Sequence, residues 1–251
     1  MIELETRKTI KNLISLKIQK KLESYAAETE HKPFFEAIFK KEVVLKASIM
    51  QSIYTSFGMS IYEQMGIILA NNAGYSAARQ YVMRGSIDDE TKLLIGAICD
   101  SEIGTYTKNQ EVDMIRASIL PGEAAVSPDS TVDVRFIDNQ GAEICIDITT
   151  VKPNKKETRA MRKKLLEWTA MRLSQDPNAN IETYIGIPYN PYFPNEYSRP
   201  FVLANAHYPD EVLVQENLWR KFAGNDVYDD LMEIFLEVGT ELESEIENLL
   251  N

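Results

Sequence analysis

Apolar residues recur every three to four positions through the first half of the chain, and from residue 130 the pattern turns to short runs that alternate every second position. The first spacing belongs to helices that bury one face, the second to strands. Ile10, Leu13, Ile14 and Ile18 set a helix over 3–27, and Pro33 restarts the chain ahead of one or two helices in 34–56. Gly58 interrupts before the strongly apolar run Ser60–Leu69. Asp88-Asp89-Glu90 places acids at the start of another helix, where its dipole favours them, and Gln110–Ile119 forms a short one. Residues 131–137 and 143–151 are rich in β-branched residues and flank an Asn-Gln-Gly turn, so they predict a hairpin. Pro153 ends it, and Asn154 is placed to cap a helix from 155 to about 174. Ile181–Ile187 reads as a third strand, with a further short one near 211–215. Residues 188–200, rich in proline and tyrosine, form a loop. An acidic amphipathic helix over 226–250 turns Leu231, Ile234, Phe235, Val238, Leu242 and Ile246 inward.

This order predicts an α/β protein: a mixed sheet flanked by helices, with a helical N-terminal elaboration. It reads as a single domain over 1–251, with a mainly helical part (1–120), an α/β core (121–225) and the C-terminal acidic helix (226–251).

Inside the hairpin, each run carries one carboxylate: Asp133 in Thr-Val-Asp-Val-Arg-Phe and Asp147 in Ile-Cys-Ile-Asp-Ile. Strand interiors avoid Asp, and a buried carboxylate costs several kcal/mol unless it is paired or binds a metal. Two on adjacent strands point to a divalent-cation site and hydrolysis of a phosphate ester; two outward Asp residues on a plain hairpin are the bland alternative. Asp129, ahead of the strand, is a weaker candidate.

Charge modifies the picture. A net charge of −11 alone argues against a nucleic-acid partner. Residues 152–172, however, hold eight Lys or Arg against two Glu, while the last 26 residues hold nine acids and no Lys or Arg. A basic helix directly after the acidic strands suits phosphates beside a metal, although such a run also serves simply as a solvated face. Lys155, Lys156, Arg159, Lys163 and Lys164 are the phosphate candidates on it. In the 188–200 loop, Asn190, Asn195 and Arg199 carry the groups that read adenine and guanine edges, unless the loop's prolines and tyrosines merely pack. Cys99 and Cys145 lie in apolar runs and read as buried thiols, which fits a cytoplasmic protein; Trp168, Trp219, Met161 and Met171 read as packing. His31 and His207 offer no zinc spacing. The N-terminus does not read as a signal peptide, and no apolar run approaches the ~18 residues that cross a bilayer.

A PD-(D/E)xK nuclease sets one Asp on one strand and an acid and a lysine, two residues apart, on the next. The acids bind Mg²⁺, and the lysine stabilises developing charge. Here the position two after Asp147 is Thr149, which supplies no positive charge. Lys152 follows three residues later and reaches the acids only if the strand ends or bulges near Thr150.

The segments Ser56–Met65, Ser130-Thr-Val-Asp-Val, Asp147-Ile-Thr-Thr-Val-Lys-Pro-Asn, Leu165-Leu-Glu-Trp and Ile185-Gly-Ile-Pro-Tyr-Asn-Pro-Tyr together resemble the TdeIII family of type II restriction endonucleases. That resemblance implies a restriction-endonuclease-like core, Mg²⁺-dependent cleavage of double-stranded DNA at a short palindrome, a role in a restriction-modification system, and action as a homodimer. By position it makes Asp133 and Asp147 the metal ligands and Glu63 a helix-borne acid of the site, with Glu111 a rival and a helix-dipole role the plain alternative for Glu63. Where the family has Asp-Ile-Lys this chain has Asp-Ile-Thr. Three readings stay open: Lys152 replaces the lysine, the chain is a catalytically impaired version, or it binds DNA without cutting.

Overall fold

The computed structural model describes residues 1–23, 32–56, 60–127 and 130–250. Four helices open the chain: α1 (Leu4–Glu23), α2 (Pro33–Ile38), α3 (Lys41–Ser56) and α4 (Tyr62–Asn72). Then come β1 (Ser76–Val82), α5 (Asp89–Asp100), α6 (Lys108–Ser118), β2 (Thr131–Ile137) and β3 (Glu143–Ile148). After them lie α7 (Lys155–Gln175), β4 (Ile181–Ile187), α8 (Pro200–Leu203), β5 (Val212–Val214), α9 (Glu216–Ala223), α10 (Tyr228–Glu241) and α11 (Glu243–Leu250). Gly58, the 24–27 end of the first helix, His31 and Asp129 lie outside the described residues.

Five strands form one mixed sheet in the order β1-β2-β3-β4-β5. The first three are antiparallel neighbours, and β3, β4 and β5 run parallel. The sheet flanked by helices is the α/β architecture that the periodicity predicts. The β2–β3 turn is built by Asp138, whose Oδ1 accepts from Gln140 N and Ala142 N at 2.9 Å each, with Gly141 at φ 81° where a side chain would be strained. Asn154 caps α7 through a reciprocal pair with Glu157 at 3.0 and 2.8 Å.

Hydrophobic clusters line both sheet faces. On one, Val134, Phe136, Ile144 and Ile146 pack with Met65 and Leu69 of α4, Ile10 and Ile14 of α1, and Leu231, Ile234 and Val238 of α10. On the other, Cys145, Ile185 and Val212 pack with Leu165 and Trp168 of α7. Gly186 lets α9 sit close, since a Cβ there would meet Leu218 Cδ1 and Ile146 Cγ2 at 3.0 and 2.9 Å. Both tryptophans, Met161 and Met171 are buried, Cys145 is buried and Cys99 half-buried.

Three local expectations need correction. The stretch up to 120 is not wholly helical: β1 lies within it, because pairing with β2 outweighs the weak strand preference of Ala, Arg and Gln. The strand expected over 143–151 ends at Ile148. The single C-terminal helix is two, and α9 precedes them.

Candidate active site

The site begins with a break in strand pairing. β1 and β2 pair at Arg79–Val134 and again at Tyr81–Val132, but Gln80 and Asp133 between them do not pair. Gln80 has φ 50°, a left-handed conformation that costs a non-glycine residue about 1–3 kcal/mol. Along β2, Val134 and Phe136 join the α4 side of the core while Val132 joins the α7 side, so the alternation slips at Asp133.

One step beyond the last β2–β3 pair, Val134–Ile146, the register sets Asp133 opposite Asp147. Asp133 Oδ2 accepts from Ile148 N at 2.8 Å, which satisfies a backbone donor as the two strands part. Gln80 Nε2 bridges the acids of two elements, reaching Glu63 Oε2 at 3.0 Å and Asp133 Oδ1 at 3.3 Å. Glu63, on the first turn of α4 and 5% exposed, also pairs with Arg79 Nε at 3.1 Å.

Asp147 is 6% exposed. Lys164 Nζ, from the third turn of α7, donates to its Oδ1 at 2.7 Å and lies 4.9 Å from the Trp168 ring centre. The Asp147 carboxyl is pushed up to about 6, chiefly by burial, with Lys164 opposing and the charge and hydrogen bonding of Asp133 adding to the rise. Burial raises Glu63 as well, with Gln80 opposing, Asp133 adding to the rise and Arg79 opposing. These carboxylates repel one another in a partly dry setting, a donor set that a hard dication neutralises. Mg²⁺ takes one or two protein carboxylates and completes its shell with water and phosphate oxygens, so Asp133 and Asp147 fit it. Among the described residues no group of three or more His, Cys, Asp or Glu side chains is placed to hold a metal ion.

Asp147 opens onto a groove of about 1060 Å³ between β3 and α7, lined also by Thr149, Lys163, Lys164, Glu157 and Glu167. Thr149 is half-buried there and donates its N–H to Gly186 O at 2.9 Å. Although β3 ends early enough to free Lys152, its amine lies 5.3 Å from the Tyr192 ring centre and does not line the groove. The amine beside the acids is therefore Lys164, which the sequence marked only as one phosphate candidate among several. Nothing in the sequence singles out Gln80, because β1 carries little strand preference of its own.

The remaining candidates separate. Lys155 and Lys156 are exposed on the first turn of α7, and Lys163 stands at the groove, 3.6 Å from Glu167. Arg159 turns away to Asp100 on α5 at 2.5 Å. Asn190 braces its own loop: Nδ2 donates to Asn195 O at 2.8 Å, and Oδ1 accepts from Tyr192 N at 2.9 Å. Arg199 donates to Pro153 O at 3.0 Å and stacks on Phe201, and Tyr197 OH donates to Val151 O at 3.1 Å. The loop is thereby fastened to the segment after β3; Asn195 keeps an exposed side chain. Glu111 lies in a different network. It is buried against Arg162, with His207 Nε2 3.0 Å from its Oε1. Arg162 Nε also lies 3.4 Å from Glu211 Oε2, so these residues tie α6, α7 and the approach to β5 together.

A family model described as "Type II restriction endonuclease, HinfI" matches residues 2–239. The chain belongs to the HinfI family of type II restriction endonucleases. Curated relatives agree with the HinfI match. The chain is similar to "Type II restriction enzyme MjaII" of Methanocaldococcus jannaschii, 26% identical over 182 residues, covering 68% of this chain. It spans about half of that enzyme, 49%. It is similar to "Type II restriction enzyme HgiCII" of Herpetosiphon aurantiacus, 22% identical over 236 residues, covering 90% of this chain and 84% of the other. To "Type II restriction enzyme HgiEI" of the same organism it is 22% identical over 234 residues, with 90% and 83% covered.

Proposed function

We propose that this chain is a site-specific deoxyribonuclease that hydrolyses phosphodiester bonds of double-stranded DNA at a short palindrome, as part of a restriction-modification system. The observation that carries this reading is the meeting of Asp147 with Asp133 from one side and Lys164 from the other. Residues 1–251 act as one nuclease domain, and two copies work together. Among the described residues no helix is long and apolar enough to cross a membrane, in keeping with action in the cytoplasm. The finer resemblance to TdeIII rests on the sequence blocks alone.

Asp133 and Asp147 would hold Mg²⁺. When bound, it polarises the scissile phosphate and makes its water more acidic. Lys164 supplies positive charge where the phosphate gains negative charge, the task that Asp-Ile-Lys assigns to a strand lysine. Gln80 fixes Asp133 and Glu63 relative to each other. Lys163 lies at the groove, and the exposed Lys155 and Lys156 open the same helix, where duplex phosphates would neutralise them. With Lys164 in place, Thr149 does not leave the site without an amine, which favours a cutting enzyme over an impaired or purely binding one.

The test is incubation with phage DNA and MgCl₂, with Asp147→Ala alongside. Discrete fragments from the native chain and none from the variant support the reading. Duplex retardation without cutting by the native chain overturns it in favour of a binder on the same fold.

A further inference from the structure

We propose that the outward face of α2 and α3 is the surface through which two copies of this chain pair. The inference rests on the two-copy reading above and names its contact. α3 is apolar on more than one side. Ile49 is buried, yet Val43, Ala47, Met50 and Tyr54 all remain exposed. Their steps of four, three and four residues place them on one stripe, the spacing with which paired helices interlock knobs into holes. From Ala47 to Ser56 the helix carries no charged residue. A helix side meant for water is polar there.

α2 extends the stripe. Phe34 is 84% exposed and Ile38 75%, with Phe35 and Phe39 beside them. At about 150–250 Å² per ring, Phe34, Phe35, Phe39 and Tyr54 leave about 500 Å² in solvent. Adding Ile38, Val43 and Met50 brings the patch to about 800 Å², the share that each partner gives to a standard interface. Monomers rarely expose so much contiguous apolar surface.

The face is also self-complementary. Between α2 and α3 runs a groove of about 390 Å³ lined by Phe35, Phe39, Val43 and Val44. Phe34 and Ile38 project from the same helix pair. A two-fold axis seats the projections of one copy in the groove of the other, twice over. A duplex palindrome presents its two scissile bonds with the same two-fold symmetry.

Sedimentation equilibrium of the full chain at micromolar concentration tests the assignment. The native chain should show the mass of two chains. Met50→Glu combined with Tyr54→Glu should weaken association by about 100-fold or more, since each substitution sets a charge in the buried centre of the contact. Circular dichroism checks that the variant folds. Independently, Ala47→Cys should form an interchain disulfide on mild oxidation, whereas Leu93→Cys, exposed on α5, should not. A one-chain mass for the native protein, or a two-chain mass that survives both Glu substitutions without the Ala47→Cys cross-link, overturns the proposal. A two-chain mass without DNA cleavage leaves the surface standing and sinks the nuclease reading; cleavage by a one-chain species does the reverse.

Discussion

Lys164 Nζ stands 2.7 Å from Asp147 Oδ1, although the two residues are 17 apart and belong to a helix and a strand. A strand lysine at 149 would reach the same region by alternation along β3. Here the amine arrives by packing of α7 across the sheet. Lys164→Met should lower cleavage by about 10²–10³-fold, the range for loss of one preorganised charge donor, and leave duplex binding largely intact. Thr149→Lys alone should change the rate little, but in the Lys164→Met background it should recover part of the loss. Single-turnover cleavage of a cognate duplex measures all three; no recovery in the double variant would place the two positions in different roles.

Asp147 predicts both pH dependence and stability. Burial raises its carboxyl to about 6. Below that pH it carries a proton, which Mg²⁺ must displace, so the apparent Mg²⁺ affinity should fall about tenfold per unit below 6 and level off above it. The folded state also binds more protons than the unfolded chain between roughly pH 4 and 6. Stability contributed by this group therefore falls as pH rises through that window and stays low at pH 7. Asp147→Asn should abolish cleavage while raising the melting temperature at pH 7 by a few degrees, for a gain on the order of 2 kcal/mol. Isothermal titration and calorimetry read the two halves separately.

Gln80 predicts a division between stability and activity. Gln80→Gly relieves a backbone held at φ 50° and forfeits the bridge from Glu63 to Asp133. The expected outcome is a folding free energy within about 1 kcal/mol of the native value, with slower cleavage and a weaker response of the melting temperature to added Mg²⁺. Cleavage at the native rate would show that the bridge has no part in orienting the acids.

The Arg162 network predicts the opposite division. Arg162→Met strips two buried carboxylates, Glu111 and Glu211, of their cation and should cost about 3–5 kcal/mol. Glu111→Gln should lower stability and leave the cleavage rate of the folded fraction intact, whereas Glu63→Gln should slow cleavage. Denaturant titration with parallel rate measurements checks the pair.

Sequence periodicity reached β2, β3 and β4 because Val, Ile and Thr alternate there, and it missed β1 because Ser-Ala-Ala-Arg-Gln-Tyr-Val carries little strand preference and is held by its neighbour. Asp133 and Asp147 were legible for the converse reason: carboxylates are out of place in strands. Lys164 was not separable from the other cations of α7, since only packing decides which one meets Asp147. Arg159 and Arg199 drew attention by residue type, yet each is engaged within the chain, and no pattern of neighbours announces that. Gln80 was hidden with the strand that carries it.

On the proposed reading a helix delivers the amine, and position 149 is relieved of its usual duty. Genome surveys that demand an acid and a basic residue two places apart would discard chains assembled this way, and tallies of inactive restriction genes made by that criterion would run too high.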